Sequence, residues 1–260
     1  MRVLLTGATG FVGRHLLPAL ETAGCDVVCA SRNPDAARER NPKREWVRLD
    51  VEDEASIKEA LAGCDAAFFL VHSMGQGGDY PEREARSAGN FVEAAEVSGV
   101  RRIVYLGGVL PAGGRVSKHL GSRRKTGELL RAGKVSVIEL RAAMIIGEGS
   151  ASWIMVKDLA ARLPAMLLPT WLRNSSYPVA IDDVIWGLVA ALFYPGSESR
   201  VFELPGPEKI SHRDVLCRVA ALLGHTRPML NVPVLSPRLS SYWIALVTRV
   251  NLDLAKELVE

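Results

Sequence analysis

The chain has 260 residues, of which 48% are hydrophobic and 23% charged, and its formal net charge is +3. This balance is ordinary for a globular protein, the charge is too small and dispersed to indicate a nucleic-acid partner, and no apolar run reaches the roughly 18 residues of a membrane span. The four cysteines show neither C-x-x-C spacing nor a neighbouring histidine cluster, which predicts a reduced, cytoplasmic protein without a bound metal.

A glycine-rich segment follows the first predicted strand, Val3–Leu5. Gly7, Gly10 and Gly13 give the spacing G-x-x-G-x-x-G and lead into residues 11–23, where apolar residues recur at helical spacing. Such a joint suits a dinucleotide, because the glycines let the backbone approach a pyrophosphate at the positive end of the helix. The same glycines would also suit a turn that binds no ligand. The expected contacts are Gly7, Thr9, Gly10, Phe11 and Val12.

The second predicted strand, Asp26–Ser31, ends where a dinucleotide-binding fold selects its cofactor. An NAD-preferring site places a carboxylate about 20 residues beyond the glycines, to bind the ribose 2′-hydroxyl. Here Ser31 and Arg32 occupy that place. Because a guanidinium presents several donors to a phosphate, the pair favours NADP(H) over NAD(H). The alternative is that Arg32 is a solvent-facing residue of a turn.

Two further strand ends are expected to border the cofactor. The third strand, Trp46–Leu49, runs into Asp50 and Val51, and Asp50 either accepts a hydrogen bond from the adenine amino group or shapes a turn. Asp53 is expected to cap the next helix. The fourth strand, 65–71, is almost wholly apolar, as is typical of a covered parallel sheet. It ends at Val71, and His72 begins a loop to Gly78 that contacts either the ligands or only its own backbone.

Strands and helices continue to alternate, which predicts an α/β fold with a Rossmann-type doubly wound parallel sheet and a small C-terminal lobe. We expect a dinucleotide-binding domain at 1–150 and the lobe at 151–260, with 181–205 returning to the sheet. The proline-interrupted apolar stretch 155–172 is either the wall of an apolar pocket or core. The other predicted helices are 81–98, 117–132, 181–193, 211–223 and a helix-like segment at 242–259, and the other strands are 102–106, 135–140 and 201–204.

The segment Thr6–Gly13 resembles the cofactor loop of the extended and atypical short-chain dehydrogenase/reductases. The stretches Leu70–Met74 and His119–Arg123 resemble a bacterial subgroup of NmrA-like and complex I accessory-subunit-like proteins. The resemblance covers roughly residues 1–225 and implies a Rossmann fold with a nicotinamide dinucleotide. Further matching segments are Asp50-Val51, Arg102–Leu106, Leu140-Arg141, Ile146-Gly147 and Asp182–Val184.

Catalytic members of that family carry Ser, Tyr and Lys, the Lys four residues after the Tyr. Here the resemblance aligns Gly107 or Gly108 with the Ser, His119 with the Tyr and Arg123 with the Lys. A histidine can donate a proton near neutral pH, whereas an arginine can hold ribose or phosphate but cannot relay a proton. His119 is therefore either a replacement acid or a surface residue on a helix without chemistry.

The leading hypothesis is an atypical oxidoreductase that uses NADPH on an apolar carbonyl, enone or quinone-like substrate. The intact glycine loop and the apolar stretch 155–172 support it. The alternative is a catalytically inactive NAD(P)-binding regulator or assembly subunit, which the missing Ser, Tyr and Lys favour. A nucleotide-sugar epimerase or dehydratase is a third reading, weaker because that chemistry usually uses the same Tyr and Lys.

Overall fold

The structure is a computed structural model. It describes residues 1–72, 80–111, 113, 116–163, 166–225, 228–232, 237–250 and 252–259. The α-helices are α1 (Phe11–Thr22), α2 (Pro34–Arg40), α3 (Glu54–Leu61), α4 (Tyr80–Val97), α5 (Lys118–Ala132), α6 (Ala151–Arg162), α7 (Ile181–Leu192), α8 (His212–Leu222), α9 (Pro237–Val247) and α10 (Leu252–Val259). The first six strands are β1 (Arg2–Leu5), β2 (Asp26–Ser31), β3 (Glu45–Arg48), β4 (Ala66–Phe69), β5 (Arg102–Gly108) and β6 (Ser136–Ala142).

The later strands are mostly short. They are β7 (Ile145–Ile146), β8 (Met166–Pro169), β9 (Ser175–Ser176), β10 (Val179–Ala180), β11 (Arg200–Leu204), β12 (Ile210–Ser211) and β13 (Met229–Val232). The chain folds into two compact units. The first comprises Met1–Ser73, Gly78–Ala142 and Ile181–Leu204, and the second includes Ala143–Ala180 and Pro205–Glu260.

The first unit contains a seven-stranded parallel sheet in the order β11-β6-β5-β4-β1-β2-β3. The order reverses between β1 and β4, which are adjacent, so ligands are expected at the carboxyl ends of these two strands. All residues of β4 are buried, as expected for a sheet with helices on both faces. The predicted α/β Rossmann-type fold is confirmed.

Helices cover the two faces of this sheet. Helix α1 packs against α7, whereas α3, α4 and α5 pack against one another in sequence. The core on the α4 side includes a tilted aromatic contact between Phe69 and Phe91, whose ring centroids are 4.9 Å apart. The N-cap prediction for α3 also holds, because the Asp53 side chain accepts hydrogen bonds from the backbone N–H groups of Ala55 and Ser56.

The second unit has its own apolar core, built from α6, α8, α9 and α10. Its buried residues are Val156, Leu159, Ala160, Leu163, Val215, Leu216, Val219, Ala220, Ile244, Val250 and Ala255. Leu159 and Leu163, from the stretch 155–172, therefore belong to a core. Pro164 and the side chains of Met166, Leu167, Leu168 and Trp171 lie outside the described part of the chain, so the pocket wall itself is not described.

The single helix-like segment expected at 242–259 is wrong. Helix α9 ends at Val247 and α10 begins at Leu252. Between the two helices, the backbone N–H and guanidinium of Arg249 both donate to the buried carboxylate of Asp158. Within the described ranges, no helix is both long and apolar enough to cross a membrane.

Candidate functional site

The turn between β1 and α1 is closely packed at two of its three glycines. Gly7 has a positive φ of +66°, and a Cβ atom on it would lie 3.0 Å from the Leu70 carbonyl oxygen. A Cβ on Gly13 would lie 2.2 Å from the Gly7 oxygen. Gly10 differs, because among the described residues a Cβ on it would have one neighbour within 4 Å, the Gly7 oxygen at 3.1 Å. Packing therefore explains the glycines at 7 and 13 better than the one at 10.

Thr6 fixes the relative position of the ends of β1 and β4. Its buried hydroxyl donates a hydrogen bond to the Phe68 carbonyl at 2.8 Å and accepts one from the Leu70 N–H at 2.9 Å. This side-chain bridge holds the glycine turn against the fourth strand. The sequence analysis placed Thr6 in the motif but missed its role, for which a hydroxyl directly before the first glycine was the available signal.

The N-terminus of α1 is open to an anion. The N-cap residue, Gly10, has no side-chain cap, and the first turn contains no acidic residue. The first helical bond joins the Arg14 N–H to the Gly10 oxygen at 3.1 Å, so the N–H groups of Phe11 and Val12 precede the hydrogen-bonded ladder. Together with the helix dipole, these N–H groups suit a phosphate.

Ser31 and Arg32 follow β2, which lies next to β1 in the sheet. The Ser31 hydroxyl donates to the Asn33 carbonyl and accepts from the Asn33 N–H, both at 3.1 Å, and so shapes the turn into α2. Arg32 is exposed and forms no salt bridge with any described residue. Its guanidinium is therefore available to a ligand at this strand end.

Asp50 and Val51 follow β3. One carboxylate oxygen of Asp50 accepts a hydrogen bond from the Glu52 N–H at 3.1 Å. The backbone N–H of Asp50 donates to the Ser56 hydroxyl at 3.0 Å. Asp50 thus shapes a turn, with its second carboxylate oxygen left for a ligand. Val51 packs against the core of the first unit, as does Val71 after β4.

His72, His119 and Arg123 lie close enough together for their charges to interact. His72 is open to solvent on one side, but the protein atoms around it reduce its hydration, and with the charges of Arg123 and His119 this lowers its pKa to about 3. Partial burial, together with the charge of Arg123, lowers the pKa of His119 to about 4. Both imidazoles are therefore neutral at pH 7. Residues 73–78 of the His72 loop lie outside the described part of the chain.

Arg123 is held at the carboxyl end of β5. Its guanidinium donates to the Leu106 carbonyl at 2.6 Å and lies 5.4 Å from the centre of the Tyr105 ring, a cation–π geometry. The Tyr105 hydroxyl in turn donates to the Arg123 carbonyl at 3.0 Å. These contacts fix the charge of Arg123 in place, one helical turn beyond His119.

At the positions aligned with the family's catalytic serine, an added side chain would meet the ends of two other side chains, which would have to shift. A Cβ atom on Gly108 would lie 2.7 Å from a methyl group of Leu120, and one on Gly107 would lie 3.0 Å from a carboxylate oxygen of Glu139. Glu139 is buried in β6 and pairs with both Arg131 and Arg141. The sequence analysis missed Leu120 and Glu139, because only the folded chain brings them to the end of β5.

The parallel sheet, the reversal of strand order and the open helix N-terminus are together typical of an NAD(P)-binding protein. The family model described as NAD(P)H-binding matches residues 7–157. This chain belongs to that family, whose relatives include reductases.

The chain is similar to (4-alkanoyl-5-oxo-2,5-dihydrofuran-3-yl)methyl phosphate reductase of Streptomyces griseus, with 27% identity across 87% of this chain and 75% of the reductase. It is also 27% identical to an uncharacterized protein of Mycobacterium tuberculosis, over 91% of this chain but only 24% of that protein. Among solved structures it resembles MoeE5 in complex with UDP-glucose and NAD, with a TM-score of 0.74, 20% identity and coverage of 99% and 97% of the two chains. At this identity, the structural likeness shows the fold.

Proposed function

We propose that this protein is an NADP(H)-dependent oxidoreductase that reduces an apolar carbonyl, enone or quinone-like substrate. The observation that carries the proposal is the uncapped, acid-free N-terminus of α1 behind Gly10. Gly10 has an ordinary backbone conformation, with φ −77° and ψ 176°, so its lack of a side chain is not a backbone requirement. A pyrophosphate that approaches the helix N-terminus explains it.

The residues present fit the cofactor. The N–H groups of Phe11 and Val12 would hold the pyrophosphate, Asp50 and Val51 the adenine end, and Val71 and His72 the nicotinamide side, with Arg123 near the ribose. When bound, the reduced dinucleotide supplies a hydride. Thr9 lies in the turn between β1 and α1 and is also expected to contact the dinucleotide.

Arg32 is the reason to propose NADP(H) rather than NAD(H). No acidic side chain pairs with its guanidinium within the described residues, whereas a 2′-phosphate would provide the missing negative charge. Ser31 lies beside it with its hydroxyl in the same turn. MoeE5, by contrast, binds NAD in its complex with UDP-glucose.

The Streptomyces reductase supports the substrate class. The substrate in its name carries an alkanoyl group and a methyl phosphate on an oxo-dihydrofuran ring, and is therefore an unsaturated carbonyl compound. A similar substrate for this chain is consistent with hydride transfer to a conjugated system.

A second candidate is an NAD(P)-binding regulator or assembly subunit without turnover. It is favoured by one specific observation, the two glycines, Gly107 and Gly108, that stand at the end of β5 where catalytic members of the resembled family carry a serine. The resemblance of His119–Arg123 to NmrA-like and complex I accessory-subunit-like proteins agrees with this candidate. A cytoplasmic location would suit either function.

The test is a fluorescence titration with NADPH and with NADH, followed by a panel of enones, ketones and quinones. We expect NADPH to bind at least tenfold more tightly, and Arg32→Gln to remove most of that difference. The matched control is Arg86→Gln, because Arg86 is likewise exposed and forms no salt bridge with described residues. Equal affinities for the two nucleotides would refute the NADP preference, and binding without oxidation by any acceptor would favour the regulator.

A further inference from the structure

His119 is buried on one side and open on the other. Its Nδ1 atom is shielded from solvent and has no hydrogen-bond partner within the described residues. An imidazolium carries an N–H at both nitrogens, so protonation of His119 would leave a buried N–H at Nδ1 without an acceptor. A buried N–H without a partner costs more free energy than a buried nitrogen lone pair without one. The neutral ring therefore keeps its proton on Nε2, and Nε2–H is the donor that a ligand can meet.

The position of His119 in its helix acts in the same direction. It is the second residue of α5, after the N-cap Ser117, whose hydroxyl accepts a hydrogen bond from the Leu120 N–H at 3.2 Å. The positive end of the helix dipole disfavours a cation at this place. His119 is thus a fixed neutral donor and not an acid that carries a spare proton.

Arg123 supplies a charge that no described acidic side chain neutralises. Its partners are the Leu106 carbonyl and the face of Tyr105, both uncharged. Arg124, the next residue, is different, because it is exposed and pairs with Glu128 at 3.7 Å. A fixed positive charge beside a neutral donor forms an environment that stabilises a developing oxyanion.

Within the described residues, neither histidine of the site carries a spare proton to match this charge, because His72 is neutral like His119. Gly107 and Gly108 bring no hydroxyl to the end of β5. Reduction of an isolated ketone forms an alkoxide, which is strongly basic and needs a proton in the same step. Reduction of a conjugated enone at its β-carbon forms an enolate, which is far less basic and requires only electrostatic stabilisation.

We infer that His119 and Arg123 form an enolate-binding site, and that the substrates are conjugated enones reduced at the carbon–carbon double bond. This inference rests on the proposed function. The β-carbon accepts the hydride supplied by the reduced dinucleotide, and the π-electron pair of the double bond moves through the conjugated system to the carbonyl oxygen. His119 donates its Nε2–H to that oxygen and Arg123 balances its charge. Water then protonates the α-carbon, and the products are the saturated ketone, the oxidised dinucleotide and hydroxide.

The first test measures binding and not turnover. Protein saturated with NADP⁺ is titrated with 4-nitrophenol, whose ionised form mimics an enolate and has its own absorbance band. We expect the bound phenol to ionise at least one pH unit below the free phenol, and Arg123→Gln to abolish this shift. Arg124→Gln is the control and should leave it unchanged. A bound phenol that stays neutral, or the absence of any shift at saturating phenol, would overturn the inference.

The second test identifies the reduced bond. With an enone and its saturated ketone as paired substrates, we expect the enone to be reduced at least a hundredfold faster and to retain its carbonyl, as seen by NMR of the product. Comparable reduction of the ketone would overturn the inference yet leave the oxidoreductase proposal intact. Failure of NADP⁺ to bind would instead refute the proposed function.

Discussion

Alanine at Gly10 should separate cofactor binding from folding. The backbone of Gly10 is in a conformation open to any residue, and the added Cβ would meet only the Gly7 oxygen, at 3.1 Å. A shift of a few tenths of an ångström relieves this contact. The lower entropy of the unfolded chain compensates by about 0.4–1 kcal/mol. We therefore expect the free energy of unfolding of Gly10→Ala to stay within about 1 kcal/mol of wild type.

Gly13→Ala is the contrasting variant. Its Cβ would lie 2.2 Å from the Gly7 oxygen and 2.8 Å from the Ala8 Cα, and both are backbone atoms that cannot rotate away. Helix α1 would have to move as a body, at a cost of about 1–3 kcal/mol or more. The better helix propensity of alanine returns about 1 kcal/mol. We expect a net loss of about 2 kcal/mol.

Two measurements on each variant decide the matter: urea denaturation for stability, and NADPH fluorescence for affinity. Gly10→Ala should denature like wild type but bind NADPH at least tenfold more weakly, because its methyl group stands in the path of the pyrophosphate, and tenfold corresponds to about 1.4 kcal/mol. Wild-type affinity in Gly10→Ala would show that no phosphate approaches this turn. Wild-type stability in Gly13→Ala would show that the packing described here is wrong.

Three further predictions concern buried charges and histidines. Glu139→Gln should lower the free energy of unfolding by about 3 kcal/mol in urea, because it leaves the Arg131 guanidinium without its buried counter-charge, and an unchanged midpoint would contradict this. Asp158→Asn should lower the free energy of unfolding by about 1–2 kcal/mol, a small value because the side chain of Arg249 is 64% exposed and water screens the pair. Arg249 lowers the pKa of Asp158, so the wild-type protein should be the more stable above about pH 4. This difference should disappear as acid protonates the carboxylate. His119 should stay neutral in NMR titrations of the folded protein down to about pH 5. In the unfolded chain it takes up a proton below about pH 6.5, so the free energy of unfolding should fall between about pH 6.5 and pH 4, more steeply in wild type than in His119→Gln.

Local signals in the sequence were enough to predict the frame of the first unit. The bounds of β2 agree with the prediction to the residue, and Asp53 caps the helix that follows it. These features depend on periodicity and on side chains that bind their own neighbouring backbone. The glycine turn was predictable for the same reason. The atoms that would contact a Cβ at Gly7 or Gly13 belong to residues nearby in the chain or directly after the adjacent strand β4.

The features that sequence reasoning missed depend on contacts between distant residues. Between α9 and α10, Arg249 binds Asp158, which lies 91 residues earlier in the chain. The environment of His119 is a second feature of this kind. As an acid active near neutral pH it would need a higher pKa than the surroundings of α5 allow, because partial burial and Arg123 lower the value to about 4. No local pattern reveals that environment.

The connectivity of the sheet has a consequence for how the two units can change over evolution. The chain leaves the first unit after Ala142 and returns at Ile181, yet β11 pairs in register with β6, and the Arg102 guanidinium binds the carbonyl oxygens of Leu192, Tyr194 and Gly196. These contacts within the first unit hold β11 at the edge of the sheet, and they involve no residue of the segment 143–180. Insertions or exchanges in residues 143–180 can therefore accumulate in evolution while the pairing of β6 with β11 is kept.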